Sequence, residues 1–472
     1  MKVKNRKFSE AEFNEELKGV RSWYHTGKEA DLEEAVDYHK KMPGKRNLYQ
    51  TLKKAKAEGR TIIGNRFGFA TDEETAEVAC YIRDKGGADF LGITTDTYTR
   101  RAEFGIAEKT LEESKCVGHS LLNGFPASLY GVKGTRRVYE IADLPISSRH
   151  GASTPQFHYL IAFAAGATEA NVGVVLDGVC VPGYSHISET LRNVQFTTRM
   201  VGWYGKKGVN LVCQSEGYAG NLISPCVQIA SLVIEMLLAA EQGVKIHDVL
   251  YHMQHCILQD VAALKVLSKL ANSYLAKFGY QGEIFTSANT FQEASPPDQA
   301  RTLADILFNV MSAGWGGVTR IMGKSVDEGF GMPSKEGQAM SMRGIRAMLN
   351  LLGKQEYPES IELKKECELI EQATRVILDK VFEMGNGDVA IGFLKALEAG
   401  ILDYPFAPYR FAQGKFLVAR DTWGAVRVLE PGNIPFPGEM LEYDRKKLVQ
   451  RKKSVDKNFR MIIEDVLGAS RI

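Results

Sequence analysis

The sequence predicts an α/β protein built on a (β/α)8 barrel of the TIM type, with a helical segment before it and a helical and irregular extension after it. Three observations lead to this fold class. The chain has 472 residues, enough for a barrel of roughly 250 to 400 residues with appended segments. Short apolar runs alternate with helical stretches along most of the chain, as expected for parallel strands joined by helices. Several runs end in polar residues, which is typical of barrel strands at an active site.

Residues 1–58 are polar and rich in lysine, and they are predicted to form the helical segment in front of the barrel. Within them, Asp31–Lys41 and Leu48–Glu58 carry apolar residues at helical spacing. The change to short apolar runs after this segment marks the first predicted domain boundary.

Residues 59–333 are predicted to form the barrel. Nine apolar runs recur there at intervals of about 25 to 40 residues, one more than an eight-stranded barrel needs, and the pattern does not identify the extra run. The runs are Ile62–Phe67, Phe90–Thr95, Ser120–Phe125, Leu144–His150, Thr168–Val175, Val209–Ser215, Val249–His255, Ile284–Thr290 and Val318–Gly323.

Residues 334–472 are predicted to form the extension, because the rhythm of strands stops before them. Residues 334–384 are rich in Glu, Lys and Leu and predict one or two helices. Residues 403–438 mix proline, glycine and aromatic residues, which is typical of an irregular segment that wraps a surface, here a subunit contact. The basic runs Arg445–Lys447 and Arg451–Lys453 predict a solvated amphipathic helix.

The composition excludes several classes of protein. A net charge of +2 gives no overall field that would attract nucleic acid or an anionic membrane. The seven cysteines form no C-x-x-C pair, which argues against a zinc ribbon or an iron–sulfur cluster and fits the reducing cytoplasm. The N-terminus has no apolar signal core, and no apolar run reaches the ~18 residues of a membrane span. We therefore expect a cytoplasmic protein that binds neither nucleic acid nor membrane.

Three of the first four apolar runs have an arginine at or shortly after their carboxyl ends, namely Arg66, Arg100 and Arg149. The carboxyl ends of parallel barrel strands meet at one mouth, so we expect these side chains to lie close together. Without a counter-charge they would repel one another, and the guanidinium fork pairs two-pronged with carboxylate or phosphate. Three forks suit a small dicarboxylate better than a single carboxylate. The alternative is that each arginine pairs with a local acid such as Asp96 or Glu103.

The later runs provide no set of residues for nucleophilic catalysis. The strand ends at Asn171 and Glu216 contain neither a serine–histidine nor a cysteine–histidine set. His252 and His255 have no carboxylate cluster near them in sequence, so no metal site is predicted. Arginines without a nucleophile or a metal favour a reactive group that a cofactor supplies.

A resemblance to a known family rests on several stretches that are unremarkable alone but follow one another in a fixed order along nearly the whole chain. They are GKEADLEEAVDY, GGADFLGITTDTYTR, SLLNGFPASLYGVKG, LPISSRHG, LLAAEQGVK, QDVAAL, GMPSKE, GDVAIG, DYPFAPYRFAQGKF and EPGNIPF. In this order and spacing the chain resembles the large (epsilon) subunit of glutamate mutase, also called methylaspartate mutase.

The resemblance implies an isomerase that rearranges the carbon skeleton of L-glutamate to 3-methylaspartate by radical chemistry with adenosylcobalamin. It also implies a small partner subunit that carries the cobalamin and supplies the cobalt ligand from a D-x-H-x-x-G motif. Asp37-Tyr38-His39 comes nearest to that motif here but lacks its glycine, so the cobalamin domain is expected on a separate polypeptide. An assembly of two barrels and two small subunits, a heterotetramer around a homodimer of this chain, is implied as well.

Two groups of site residues follow from the resemblance. The substrate carboxylates would be held by Arg66, Arg100 and Arg149, with His150 beside them. The adenosyl portion of the coenzyme would be contacted by Gly68, Asn123, Lys324, Glu328 and Met332. Without the resemblance, Lys324 and Glu328 are equally consistent with a local ion pair.

One segment departs from the family pattern, in the run Thr168–Val175 and just after it. The family places there a glutamate that meets the substrate amino group, followed by two tyrosines, whereas this chain has Asn171, Asp177 and Val181. Glu169 is expected to face away from the site, and Tyr184 is out of register. Loss of the anion would cost about 2 kcal/mol in a dry site.

Two explanations remain for this departure. Asp177 replaces the lost anion and glutamate remains the substrate, or the substrate is another dicarboxylic acid, without an α-amino group or with it elsewhere. The second is favoured on physical grounds.

Two further hypotheses about function differ in class. The chain could be a non-catalytic barrel that serves as a binding or scaffold subunit, but the retained coenzyme positions argue against this. It could also be an unrelated barrel lyase or aldolase, which would need a Schiff-base lysine or a metal set among the strand ends. The sequence offers neither convincingly.

Overall fold

Eight parallel strands close into a barrel, so the predicted α/β barrel is confirmed. Each strand pairs with the next along the chain, and the pairing of Ile62 with Arg320 joins the first strand to the eighth. The computed structural model describes residues 3–181, 185–290, 295–451, 462 and 465. The barrel strands are β1 Ile62–Phe67, β2 Leu91–Thr94, β3 Ile146–Arg149, β4 Glu169–Asn171, β5 Val212–Ser215, β6 Ile246–His252, β7 Glu283–Asn289 and β8 Arg320–Gly323.

Helices follow the strands and surround the barrel. Local sequence signals start them: the Thr71 side chain accepts a hydrogen bond from the backbone of Glu74 at the start of α4, and Pro225 occupies the first turn of α10. No described helix is long and apolar enough to cross a membrane. The α-helices are α1 Glu10–Arg21, α2 Leu32–Lys41, α3 Leu48–Ala57, α4 Asp72–Tyr81, α5 Thr97–Arg100, α6 Phe104–Val117, α7 Ala127–Ala142, α8 Gln156–Ala165, α9 Ile187–Lys206, α10 Pro225–Glu241, α11 Ile257–Lys277, α12 Gln299–Trp315, α13 Lys335–Leu352, α14 Ile361–Met384, α15 Val389–Glu398 and α16 Gly438–Arg451.

The run that is not a barrel strand is Ser120–Phe125, which forms a loop between α6 and α7. The loop packs on the carboxyl end of β2, where the backbone N–H of Phe125 donates to the carbonyl of Thr94 over 2.8 Å. Gly124 permits this approach, because a Cβ there would lie 2.5 Å from the backbone of Thr95. Leu122 and Phe125 of the run are therefore buried within a loop over the mouth and not within a strand, whereas Leu121 is exposed.

Helix α3 closes the amino end of the barrel, which is its floor. Leu48, Leu52 and Ala55 of α3 are fully buried. They pack in one cluster with residues from the amino-terminal parts of the strands, among them Ile62 and Phe285. The helical spacing that predicted this segment thus marks the face that seals the barrel.

The extension contains α14 to α16 and a two-stranded antiparallel sheet of β9 Phe416–Arg420 and β10 Val426–Pro431. The sheet lies inside the segment predicted to be irregular. Prolines flank its strands, with Pro431 at the last position of β10, and do not interrupt them, so they permit the pairing. Asp403 orders the preceding loop, because its carboxylate accepts hydrogen bonds from the backbone of Lys415 and Phe416.

Candidate active site

Arg66 and Arg149 lie side by side at the mouth of the barrel. Arg66 is the penultimate residue of β1 and Arg149 is the last residue of β3, and Gly92 belongs to β2, the strand between them. A Cβ on Gly92 would be 3.2 Å from Cγ of Arg66 and 3.3 Å from Cδ of Arg149. The missing side chain on β2 therefore leaves room for both arginines to cross it.

Arg100 reaches the same mouth from α5, one turn after β2. Its Nε donates to the carbonyl of Thr95 over 2.6 Å, which fixes the guanidinium. A Cβ on Gly151 would be 3.7 Å from its Nη1. Burial, and then the positive charge of Arg66, lower the pKa of Arg100 to about 10. Arg66 and Arg100 are therefore close enough to repel each other electrostatically.

Local acids do not neutralise Arg100. Asp96 caps α5 instead, accepting hydrogen bonds from the backbone N–H groups of Tyr98 and Thr99 over 2.9 and 3.0 Å. Within the described residues, neither Asp96 nor Glu103 forms an ion pair with Arg100. The alternative of local pairing is therefore wrong for this arginine.

Arg149 is paired, but with a residue of the site. Its Nη2 donates to Oε2 of Glu216 over 2.7 Å, and its Nη1 donates to Oε1 of Gln214 over 2.7 Å. Both side chains of the ion pair are almost fully buried. The Nε of Arg149 is buried and has no hydrogen-bond partner in the described part of the chain, which leaves one donor for a ligand.

Glu216 is the functional candidate that the sequence did not single out. It follows β5, and its Oε1 lies 3.9 Å from Nη1 of Arg66 and 3.2 Å from Nε2 of His252. Burial raises its pKa, but Arg149, His252 and Arg66 lower it further, so that the net pKa is below its usual value. Glu216 is therefore an ionised carboxylate between two of the arginines. Its position at a strand end was the available signal.

The three residues that differ from the family pattern, Asn171, Asp177 and Val181, occupy different environments. Asn171 is buried at the end of β4 and donates from Nδ2 to Oε2 of Glu216 over 2.8 Å. Asp177 lies in a single π-helical turn, fully buried, and its Oδ1 has no hydrogen-bond partner among described residues. Val181 ends that turn, half-buried. Tyr184 lies outside the described residues.

Burial, and then the neighbouring Glu235, raise the pKa of Asp177 well above its usual value. Glu235 is itself buried, which raises its pKa to about 7, although backbone N–H groups of Gly217 and Val175 donate to it. Two buried carboxyl groups near each other disfavour a second negative charge. Asp177 is therefore a poor anion for an ammonium group.

The expectation for Glu169 was wrong. Residues two apart on a strand share a face, so Glu169 points into the barrel like Asn171, one layer nearer the floor. It forms a two-pronged ion pair with Arg320, with a distance of 2.9 Å between Nη2 and Oε2. Arg320 also donates to Asp248, which accepts from Nε2 of Gln214 over 2.7 Å. This buried layer supports Gln214, and Gln214 supports Arg149.

His150 follows Arg149 and is buried beside His158, at 5.2 Å between ring centroids. Burial, then His158 and Arg100, hold the pKa of His150 well below its usual value, so the ring is neutral. No group of three potential metal ligands occurs among the described residues, and none is formed by His252 and His255.

Lys324 and Glu328 follow β8 and form an ion pair at the mouth. Burial, and then Arg66, lower the pKa of Lys324 to about 8. Gly68 packs under the loop after α6, because a Cβ there would be 2.7 Å from the backbone nitrogen of Phe125. Asn123 is exposed and accepts from the backbone of Thr97 over 2.9 Å.

Taken together, the fold and the site define a (β/α)8-barrel protein whose mouth brings together three arginines and the buried carboxylate of Glu216. A family model described as methylaspartate mutase E chain (MutE) matches residues 42–471. The chain therefore belongs to the glutamate mutase epsilon subunit family, a family of mutases, as its sequence predicted.

Full-length relatives agree with this assignment. The chain is 39% identical to the glutamate mutase epsilon subunit of Treponema denticola, over 100% of this chain and 98% of the relative. Identity is 36% with that of Desulfitobacterium hafniense over the same shares. It is 33% with that of Haloarcula marismortui, over 95% of this chain and 91% of the relative. Among solved structures, a sialic acid synthetase from Leptospira borgpetersenii is similar at only 10% identity and a TM-score of 0.36, over 66% of this chain and 91% of that chain.

Proposed function

We propose that this chain is the catalytic barrel subunit of an adenosylcobalamin-dependent carbon-skeleton mutase, which converts L-glutamate to 3-methylaspartate or rearranges a related dicarboxylic acid. The observation that carries the proposal is the convergence of Arg66, Arg100 and Arg149 on one buried mouth. It occurs in a chain whose full-length relatives are named glutamate mutase epsilon subunits.

The arginines bind and orient the substrate. Arg100 has no carboxylate partner in the described residues, and Arg149 keeps its Nε free. Guanidinium groups fixed by Thr95 and Gln214 hold two carboxylates at a set separation. Such fixed placement lowers the entropy cost of the reaction. The buried, neutral His150 lines the same mouth and helps to exclude water from it.

The residues after β8 and around the mouth fit the adenosyl portion of the coenzyme. Glu328 is partly exposed beside Lys324 and can accept hydrogen bonds from ribose hydroxyls. Asn123 offers an exposed amide, and the exposed side chain of Met332 offers an apolar surface for an adenine ring. Gly68 contributes by letting the loop after α6 approach β1. Adenosylcobalamin, when bound, supplies the radical chemistry that these side chains lack.

A small partner subunit would bring the cobalamin and its cobalt ligand, through a D-x-H-x-x-G motif. Phe330 and Met332 support a partner at the mouth, because both follow β8 and are 60% and 46% exposed. Trp423 lies at the turn between β9 and β10 and is 77% exposed. Cys256, in the loop between β6 and α11, donates to the Trp423 carbonyl and so fixes this turn against the barrel. A homodimer of this chain with two small subunits, in the cytoplasm, completes the proposal.

The test is reconstitution. The chain is mixed with its small partner and adenosylcobalamin, and cobalamin absorbance is followed as L-glutamate or other dicarboxylic acids are added. We expect an absorbance change that depends on the acid, together with a rearranged product. Binding of the partner and the acid without any absorbance change would favour the scaffold hypothesis. Turnover without cobalamin would favour the lyase.

A further inference from the structure

Glu216 places a negative charge next to Asn171, the position at which this chain lacks the glutamate of the family pattern. Its Oε2 lies 2.8 Å from Nδ2 of Asn171. A carboxylate at position 171 would face Glu216 at a similar distance, and the two would repel. Asn171 and Glu216 are therefore a matched pair, in which β5 supplies the anion and β4 supplies the donor.

The Arg149–Glu216 pair is complementary to an α-amino acid. An α-amino acid carries a carboxylate and an ammonium on one carbon, so its two charges are neighbours. Arg149 and Glu216 present a cation and an anion 2.7 Å apart, both buried. The free Nε of Arg149 can donate to the carboxylate. The Oε1 of Glu216 has only His252 within hydrogen-bond distance in the described residues and can accept from the ammonium.

The other acids near the mouth are less suitable. Asp96 is occupied by the backbone and side chain of Thr99 and by the backbone of Tyr98. Glu328 pairs with Lys324. Asp177 is fully buried near Glu235, Glu216 and Arg100, and burial and Glu235 favour its neutral form.

We infer that Glu216 binds the substrate ammonium group in place of a carboxylate at position 171, so that the preferred substrate is an α-amino dicarboxylic acid. This inference rests on the proposed function. It replaces the favoured expectation of an altered substrate, and it assigns no anionic role to Asp177.

The first measurement uses the wild-type complex with its partner and adenosylcobalamin. Binding of L-glutamate is compared with that of glutarate, which has the same two carboxylates and no amino group, glutarate being measured as a competitive inhibitor. Glutamate should bind at least about tenfold more tightly, since a charged hydrogen bond in a buried site is at stake. A preference for glutarate would overturn the inference without any variant.

The second measurement is the variant Glu216→Gln in the same complex. Glutamate should bind roughly 10- to 100-fold more weakly. Glutarate should bind as well as before or better, because Arg149 loses its competing carboxylate. A merely structural role for Glu216 would weaken both ligands equally. An unchanged ratio would overturn the inference.

Moving the carboxylate from residue 216 to residue 171 tests whether the preference for glutamate can be restored. The double variant Asn171→Glu/Glu216→Gln returns a carboxylate to the neighbouring side chain and should restore most of the preference for glutamate. Asp177→Asn should keep the wild-type preference. If Asp177→Asn removes it, Asp177 is the anchor and the inference fails, even if Glu216→Gln does not fold.

Failure of the proposed function gives a different result. In that case the wild-type complex shows no change in cobalamin absorbance with glutamate or with any other dicarboxylic acid. A second outcome is that glutamate changes the absorbance while the ratio of glutamate affinity to glutarate affinity is the same in wild type and in Glu216→Gln. In that case only the inference about the ammonium group is lost.

Discussion

At the scale of single residues, Arg100 is the arginine that is most open to a ligand. Arg149 is paired with Glu216, and Arg66 lies 3.9 Å from the same carboxylate. Arg100 instead donates to a backbone carbonyl and has no acidic partner among the described residues. Its charge and its fork are therefore both available to a substrate carboxylate.

The variant Arg100→Lys keeps the charge but removes the fork. We expect kcat/KM of the reconstituted complex to fall roughly 10- to 150-fold, since a charge-assisted hydrogen bond contributes about 1.5 to 3 kcal/mol. The exposed Arg301 of α12 provides the control, and Arg301→Lys should leave kcat/KM unchanged. Near wild-type kcat/KM in Arg100→Lys would sink the role proposed for this residue.

Lys324 predicts a limit to activity at alkaline pH. Its pKa is lowered to about 8 by burial and by Arg66, so the ammonium is mostly present at pH 7 and is lost as pH rises through 8. If the charged form is required, kcat/KM should decline above pH 8, by up to about tenfold per pH unit. Measured between pH 6.5 and 9, Lys324→Arg should remove this decline. A decline that persists in Lys324→Arg belongs to another group.

The sequence predicted the arginines because each lies at or shortly after the end of a strand, and strand ends meet at one mouth. Glu216 also ends a strand, but a single sequence does not say that its carboxylate reaches across to Arg149 and Asn171. That contact depends on how far β4 and β5 are staggered. The expectation for Glu169 failed for a simpler reason, because its side chain belongs to the same face as Asn171.

At the scale of elements, β2 brings two arginines together because it has no side chain at Gly92. Gly92 is paired with Arg66 of β1, and the side chains of Arg66 and Arg149 pass over it. A Cβ at this position would also lie 2.9 Å from the backbone oxygen of Asn65. A strand without a side chain at this point is thus a condition for bringing the two arginines together.

Gly92→Ala should therefore harm both stability and substrate binding. We expect a loss of about 1 to 3 kcal/mol in the free energy of unfolding, as for overpacking elsewhere, and an increase in the KM for the acid. Gly105→Ala in α6 is the matched control, because nothing lies within 4 Å of the added Cβ, and it should be neutral or slightly stabilising. Unfolding by urea and steady-state kinetics measure the two effects. Equal behaviour of both variants would contradict the packing argument.

The strands could be predicted because a barrel interior needs short apolar runs at regular intervals. Ser120–Phe125 has the same apolar character for another reason, since it is a loop buried against β2. The hairpin of β9 and β10 was not predicted, because prolines and glycines near its ends resemble an irregular segment. Periodicity reports burial, and burial alone does not separate a strand from a covered loop.

At the scale of the whole molecule, a buried ion cluster joins the extension to the barrel. Nε of Arg427 on β10 donates to Asp421 over 2.8 Å, and its Nη1 donates to Glu366 of α14 over 2.9 Å. Glu366 also accepts from Gln259 of the barrel helix α11 over 2.8 Å. The sheet, the extension helix and the barrel thus share one buried network of ion pairs and hydrogen bonds.

Arg427→Ala should destabilise the chain by about 3 to 5 kcal/mol, because it leaves buried carboxylates without a counter-charge. Lys446→Ala is the control. Lys446 pairs with Glu442 on the exposed side of α16, and its loss should cost less than about 1 kcal/mol. The thermal unfolding midpoints of the two variants test this, and equal midpoints would contradict it.

The helix that seals the floor of the barrel has a consequence for the order of events in turnover. Leu48, Leu52 and Ala55 block the amino end, and the layer around Arg320 fills the space above them. In the described residues, the mouth is then the way in for substrate and the way out for product. If the proposed partner covers that same opening, each cycle requires the two subunits to part slightly. Turnover should slow in viscous solvent, and a crosslink between the subunits should trap the acid that is already inside.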